Sequence, residues 1–199
     1  MSDSLSRRKL ARAAARLAVA RGNLLPPLVL MTDDERLADP LAAARGLPRG
    51  SMVIVRVRQP AHRKRLASAM MTIARGRGLF VLIAGDAALA LEVGADGVHL
   101  PEVRIGEAAH LRTRHRLITA AVHSLAGLRK TAWVDAVFLS PVFPTASHPG
   151  RSNLTPVRAA LIARAARLPV YALGGVEPAN AGRLSGFSGI AAIGALAVT

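Results

Sequence analysis

AVFLSPVFPTASHPG, residues 136–150, and PVYALGGVEPAN, residues 169–180, decide how this chain folds. Each opens on a short apolar, β-branched run, the pattern of a strand buried on both faces. Each then breaks into a turn rich in Gly, Pro, Ser and Thr. Such turns expose backbone N–H groups and hydroxyls, the donors that a phosphate needs. Two loops of this kind on successive strands are the usual phosphate cradle of a (β/α)8 barrel. The pair predicts a TIM-barrel enzyme that grips a small phosphorylated substrate.

Outward from the pair, similar runs lie at residues 28–32, 52–58, 79–83, 97–100 and 117–122. The pair itself supplies 136–142 and 170–173, and a last run follows at 190–193. These eight runs, about 20–30 residues apart and joined by helix-like Ala/Arg/Leu stretches, describe repeated βα units around a parallel sheet. Eight units close a barrel. The competing open, doubly wound sheet lacks its signature, because no G-x-G-x-x-G follows the first strand. With 199 residues, one domain is expected, slightly smaller than the ~250 residues of a typical barrel. Residues 1–24 read as a basic helical leader and residues 25–199 as the barrel. Since the chain ends barely past the eighth strand, the final helix is short or missing, or the leader takes its place.

Composition narrows the functional classes. Half the residues are apolar (51%), yet there are only one Trp, one Tyr and four Phe, so the core is built from aliphatic side chains. The absence of Cys excludes disulfides, thiolate metal sites and a Cys nucleophile. No apolar run reaches the ~18 residues of a membrane span, so no membrane partner is expected. The opening MSDSLSRRKLARAAARLAVARG is basic and amphipathic without a continuous signal-type core. Transit peptides share its Arg and Ala richness; a cytoplasmic protein is the simplest reading. The formal charge of +15 raises the question of nucleic acid. All but three of the 27 basic residues are Arg, scattered among Ala on helix faces. There is no helix-turn-helix spacing, no zinc pattern and no aromatic set for stacking bases. A solvated basic surface is the expectation, and nucleic acid is not expected as a partner.

In a barrel the chemistry lies at the carboxyl ends of the strands. Candidates there are Thr32 and Asp33, Arg56 and Arg58, Asp86, His99 and Glu102, His123 and Ser124, and Ser140 with Thr145, Ser147 and His148. Gly174, Gly175 and Gly194 with Ala195 complete the set. Gly174 and Gly175 let backbone approach an oxyanion closely, or make a plain tight turn; Gly194 supplies a second small position at the next strand end. His123 ends the fifth strand, where an imidazole suits proton transfer near neutral pH or serves as a hydrogen-bonded structural group. Alternation places His99 either inside the barrel, as a satisfied interior group, or against helices. Glu102, just beyond Pro101, is better placed at the rim. Arg56 and Arg58 share a face, which meets phosphate if it points inward at the rim and solvent if it does not. Residues 62–65 read as solvated helix surface.

GADGVHL, PVFPTAS and YALGGVEPAN, in this order and spacing, with LVLMTD at the first strand, resemble the thiamine phosphate synthase/TenI superfamily. The likeness spans residues 28–196. It implies one of two chemistries. Synthases of this type join a pyrimidine diphosphate to a thiazole phosphate with Mg²⁺ and release pyrophosphate. Their Asn-Asp pair after the third strand falls on Ala84 and Gly85 here, and their second metal-binding Asp falls on Arg104. Asp86 lies one position off and is the metal candidate only if the chain is a synthase. The Gln-x-Arg-x-Lys triplet becomes Ile54, Arg56 and Arg58, and the Thr-x-Thr-Lys loop becomes Thr145, Ser147 and His148.

HLPE (99–102) and VHSL (122–125) look instead like the TenI-type thiazole tautomerases, which need no cofactor or metal. By that resemblance His123 is the catalytic acid/base. Gly174, Gly175, Gly194, Ala195, Ser140, Thr145 and Ser147 then hold the substrate, with Arg56, Arg58 and Glu102 at its other end. A thiazole tautomerase is the first expectation and a synthase with an altered metal site the alternative. A non-catalytic, regulatory phosphate-binding barrel is the third. Barrels of this kind are commonly homodimers, again by resemblance.

Overall fold

Each apolar run becomes a strand because its residues alternate between two buried surfaces. The computed structural model describes residues 2–144 and 154–197. The strands are β1 Leu28–Met31, β2 Met52–Val55, β3 Phe80–Ala84, β4 Gly97–Leu100, β5 Leu117–Val122, β6 Ala136–Leu139, β7 Val170–Ala172 and β8 Gly189–Ala192. All pair in parallel with their sequence neighbours, and β1 pairs with β8 (Leu28↔Ile190) to close the barrel. One set of side chains points inward: Val29, Met31, Met52, Ile54, Leu82, Phe138, Tyr171 and Ala191 pack together there. The alternate set, including Val53, Val55, Val81, Ile83, Val98 and Leu100, faces the helices.

Two of the few aromatic residues fill the barrel interior. The rings of Phe138 and Tyr171 stack 4.9 Å apart. The Tyr171 hydroxyl donates to the carbonyl of Pro26 (2.9 Å) and accepts from the Asn23 amide (3.1 Å), so its buried polar end is satisfied. Gly189 makes this possible, because a Cβ there would lie 2.5 Å from the Tyr171 ring.

The helices are α1 Ser2–Arg21, α2 Pro40–Arg45, α3 Pro60–Arg77, α4 Ala87–Glu92, α5 Ala108–Leu111, α6 Leu125–Leu128 and α7 Pro156–Ala165. The basic leader is α1. Its Leu10, Ala14 and Leu17, at i, i+4 and i+7, are buried in the same core as the barrel's outer face. It packs against β8, β1 and the turn Gly194–Leu196. Past β8 the described chain makes only that single 3-10 turn, and α1 covers the wall between β8 and β1.

Two strands stop well short of the expected end, β2 at Val55 rather than residue 58 and β6 at Leu139 rather than residue 142. β2 ends at Val55 because the Thr32 hydroxyl takes over both backbone groups of Arg56, accepting from its N–H (2.8 Å) and donating to its carbonyl (3.1 Å). β6 ends at Leu139; beyond it, Val142 N–H donates instead to the carbonyl of Leu173 (3.0 Å).

Candidate active site

Parallel closure brings every strand's carboxyl end to one mouth, and the predicted residues collect there in three groups. The first is ionic. Thr32 fixes the chain after β2 and so delivers Arg56 to the rim. The Asp33 carboxylate pairs with Arg56 (2.6 Å) and with Arg36 (2.7 Å). The Arg36 hydrogen bond foremost, opposed by partial burial, holds the Asp33 carboxyl well below the usual carboxylate range. Arg58 donates its backbone N–H to Asp34 (2.9 Å) and its guanidinium to Glu35 (3.3 Å). Arg56 and Arg58 thus line one small cavity with Asp33, Asp34 and Glu35. The Arg58 side chain is 81% exposed, whereas that of Arg56 is half-buried.

His99 lies beneath this group. Register places it with Ala84 and Thr119, and its Nδ1 is 2.9 Å from the Thr119 hydroxyl. Its ring meets Phe138 edge-on, with centroids 5.1 Å apart. Burial first, and the Arg56 charge second, push its pKa down to about 3. A group so hard to protonate is a poor general acid near neutral pH, and His99 takes the satisfied interior role.

The second group is Glu102, His123 and Ser140, from the ends of β4, β5 and β6. Glu102 accepts the His123 backbone N–H (2.9 Å). Gly127 leaves room for it: a Cβ there would lie 2.3 Å from the Glu102 carboxylate. His123 Nδ1 lies 2.9 Å from the Ser140 carbonyl and 3.2 Å from its hydroxyl. A carbonyl only accepts, so Nδ1 carries the proton and Nε2 of the neutral ring is left with its lone pair. Nε2 has no partner among the described residues, and the side chain is exposed. This arrangement suits a base.

The third group is the glycine side. Gly174 (φ +91) and Gly175 (φ +64) turn the chain after β7 in the region that favours glycine. They also press against the loop after β6: a Cβ on Gly174 would lie 2.9 Å from Pro141 Cα, and one on Gly175 2.3 Å from the Pro144 carbonyl. Phe143 N–H donates to the Gly174 carbonyl (3.1 Å). The side chain of Asn180 fastens the loop, donating to the Gly175 carbonyl (2.7 Å) and accepting from Glu177 N–H (2.9 Å). Because β7 and β8 are neighbours, this loop opens beside the turn that starts at Gly194 and Ala195. The N–H groups of Gly175, Gly194 and Ala195 donate to no other described residue. Thr145, Ser147 and His148 lie outside the described residues.

The rim where a divalent ion is expected holds a different set of groups. Asp86 caps α4 by accepting Leu89 N–H (3.0 Å) and pairs with Arg63 (3.2 Å). Arg104 donates to the Gly85 carbonyl (2.8 Å) and grips Glu107 through two bonds of 2.6 and 2.7 Å. The Glu107 hydrogen bond foremost, with a smaller contribution from the Asp86 charge, raises the Arg104 pKa. Among the described residues, no three acidic or His side chains gather as metal ligands. A hard divalent cation needs several anionic or carbonyl oxygens, and these residues do not fit it.

Sequence reasoning missed Asn180, Gly127 and Arg63. Arg63 was expected to be solvated, but its side chain is only 17% exposed and donates to the Val57 carbonyl (2.8 Å). The only signal for Asn180 was its place three residues after Glu177, the spacing of a side chain that closes a turn.

Comparison with known proteins is consistent over the whole barrel. The family described as thiamine monophosphate synthase matches residues 28–196. A thiamine-phosphate synthase of Chlorobium luteolum is 32% identical over 182 residues, covering 86% of this chain and 85% of its own. One of Bordetella bronchiseptica is 33% identical over 168 residues, covering 77% and 76%. Among solved structures, a thiamine phosphate pyrophosphorylase from Pyrococcus furiosus superposes with a TM-score of 0.66 at 24% identity, covering 84% of this chain and 85% of that one.

Proposed function

Because this chain belongs to the thiamine monophosphate synthase/TenI family, we propose that it is a thiamine-phosphate synthase, joining a hydroxymethylpyrimidine diphosphate to a thiazole phosphate. The observation that carries this reading is the extent of the likeness. It runs from β1 to the turn after β8, and the relatives matched over most of their length bear that activity in their names. In the reaction the thiazole nitrogen forms a C–N bond to the pyrimidine methylene carbon. The C–O bond to the diphosphate breaks, and pyrophosphate leaves with the electron pair.

The chain's part is positioning and charge. Gly175, Gly194 and Ala195 offer N–H groups to the thiazole phosphate, and the Ser140 hydroxyl lies at the end of the neighbouring strand. Arg56 and Arg58, held by the loop after β1, face the diphosphate end. Positive charge on the neighbouring rim comes from Arg63 and Arg104. No step is assigned to Mg²⁺, and turnover is expected to survive EDTA.

One observation favours a second reading. The Ser140 carbonyl fixes His123 with Nε2 as the basic atom. Such a group suits a thiazole tautomerase, in which His123 takes a proton from one ring-system atom and returns it to another while the thiazole becomes aromatic.

A paired turnover assay tests both readings. One arm supplies thiazole phosphate and pyrimidine diphosphate and follows pyrophosphate, with Mg²⁺ and with EDTA. The other supplies the exocyclic thiazole tautomer and follows aromatisation by absorbance. Pyrophosphate release in both metal conditions is expected. Aromatisation alone transfers the function to the second reading. Silence in both arms, with thiazole phosphate still bound, overturns both and leaves a non-catalytic phosphate-binding barrel.

A further inference from the structure

The barrel end opposite the mouth, where the strands begin, is strongly cationic, and the proposed reaction makes no use of it. The segments leading into β2, β3, β5, β6 and β7 present Arg49, Arg77, Arg114, Arg116, Lys130 and Arg167, all exposed. None of these six forms an ion pair among the described residues. The acids between the helix ends and the strands, Asp96 and Asp135, are turned into the sheet. Asp96 accepts Val81 N–H (2.7 Å), and Asp135 accepts Ile118 N–H (2.7 Å) and pairs with Arg112 (2.9 Å). Most other carboxylates lie at the mouth, among them Asp33, Asp34, Glu35, Asp86 and Glu102. Six cations thus stand together at the strand-start end without an ion pair among the described residues.

Aromatic surface gathers at the same end. The two aromatic side chains exposed on the molecule, Trp133 (58%) and Phe80 (42%), both lie at this end. Trp133 follows Lys130 in the segment before β6, and Phe80 opens β3. An open groove of about 420 Å³ lies on the same end, lined by Arg21, Asp135, Arg167 and Ser188 among others. Guanidiniums suit phosphate oxygens through paired N–H donors, and exposed rings stack bases without regard to sequence.

We propose that this end binds single-stranded nucleic acid without sequence preference, its arginines on the phosphates and Trp133 and Phe80 under the bases. Scarce aromatics argue against such a partner in the sequence; the structure places the two exposed ones among the unpaired cations.

Trp133 is the only tryptophan, so its fluorescence reports on this end directly. The full chain is titrated with a 20-residue oligo(U), following tryptophan quenching and, with a labelled strand, anisotropy. Saturable quenching is expected, weakening linearly in log–log form as salt rises, with about 0.7 counterions released per phosphate contacted. Arg114→Glu with Arg116→Glu is expected to lower affinity at least tenfold. Arg8→Glu with Arg12→Glu, the same charge change on α1, is expected to leave it within twofold. Circular dichroism melts confirm that each variant is folded.

The proposal is overturned if oligo(U) does not bind at 50 mM salt, or if the two double variants lose affinity equally. It is also overturned if vesicles of phosphatidylglycerol and phosphatidylcholine (1:3) bind and oligo(U) does not; the fully exposed Leu24 beside the groove would then mark a lipid contact.

Discussion

At the residue scale, two glycines of the proposed phosphate cradle separate folding from binding. Gly175 combines a positive φ of +64 with a would-be Cβ only 2.3 Å from the Pro144 carbonyl. Gly175→Ala strains the backbone and pushes two loops apart, at a cost of about 2 kcal/mol, or roughly 4–8 °C in Tm for a chain of this size. Gly194 has nothing within 4 Å of its Cβ position. Gly194→Ala is expected to leave Tm unchanged and to raise KM for the thiazole phosphate about tenfold, because the added methyl would project into the proposed phosphate cradle, worth about 1.4 kcal/mol. Thermal melts and steady-state kinetics on both variants check the contrast; equal loss of Tm would remove Gly194 from the cradle. His123 gives a second test. C–N bond formation needs no proton at His123, so His123→Gln is expected to slow pyrophosphate release less than about tenfold. A tautomerase step through the same imidazole would lose about 10²–10⁴-fold. The variant run in both assay arms separates the two roles.

At the element scale, α1 belongs to the barrel. Leu10 is fully buried, and the helix covers β8 and β1, the strands whose pairing closes the ring. Leu10→Ala is expected to cost about 2–4 kcal/mol. Because the helix shares the barrel's outer core, the loss should appear as one shifted urea transition, with far-UV signal and Trp133 fluorescence moving together. An early loss of helix signal alone would show α1 to be an independent appendage.

The strands were legible because each is a short apolar run between turn residues, and every start falls close to the one read from the sequence, whereas the ends of β2 and β6 were read too far. Alternation left His99 either inside the barrel or against the helices, and only the register with Ala84 and Thr119 shows it to be interior. Nor could alternation say which face of β2 looked into the mouth: Arg56 and Arg58 reach the rim only because the Thr32 hydroxyl ends the strand at Val55. The Glu102–His123 link was equally hidden, since it is a side-chain bond to a backbone N–H 21 positions away and depends on the absence of a side chain at Gly127. The departure from a metal site was partly visible in Arg104, but its anchorage on Gly85 and the hold of Arg63 on Asp86 needed coordinates.

At the scale of the whole molecule, acid should unfold this protein through distinguishable groups. Buried His99 keeps a pKa near 3 in the fold, against 6.5 when exposed. Below pH 6.5 the unfolded chain therefore binds a proton that the native state refuses, and stability falls by up to about 1.4 kcal/mol per pH unit until His99 itself titrates. Asp33 works in the same direction over a lower range. Its folded pKa is depressed from 3.8, so its contribution is complete above that value and is lost as pH falls below it. Protonation of the other carboxylates adds to a molecule already at +15, and self-repulsion deepens the loss. The windows distinguish the causes. Between pH 6.5 and 4.5 the decline belongs to His99 together with His115, whose pKa is likewise lowered, by burial first and the Arg114 charge second. His99→Gln, though less stable at pH 7.5, should therefore show a flatter Tm in that range than the parent chain, with a residual slope from His115. Asp33→Asn should leave that range alone and soften only the fall below pH 4. Repulsion is screened by salt, so Tm at pH 4 should rise on going from 20 to 300 mM NaCl, while the His99-dependent slope between pH 6.5 and 4.5 persists because that group is buried. Melts of the three proteins across pH at both salt concentrations measure each effect; a slope that survives His99→Gln and high salt would assign the decline to His115, and one that salt removes would assign it to the surface charge.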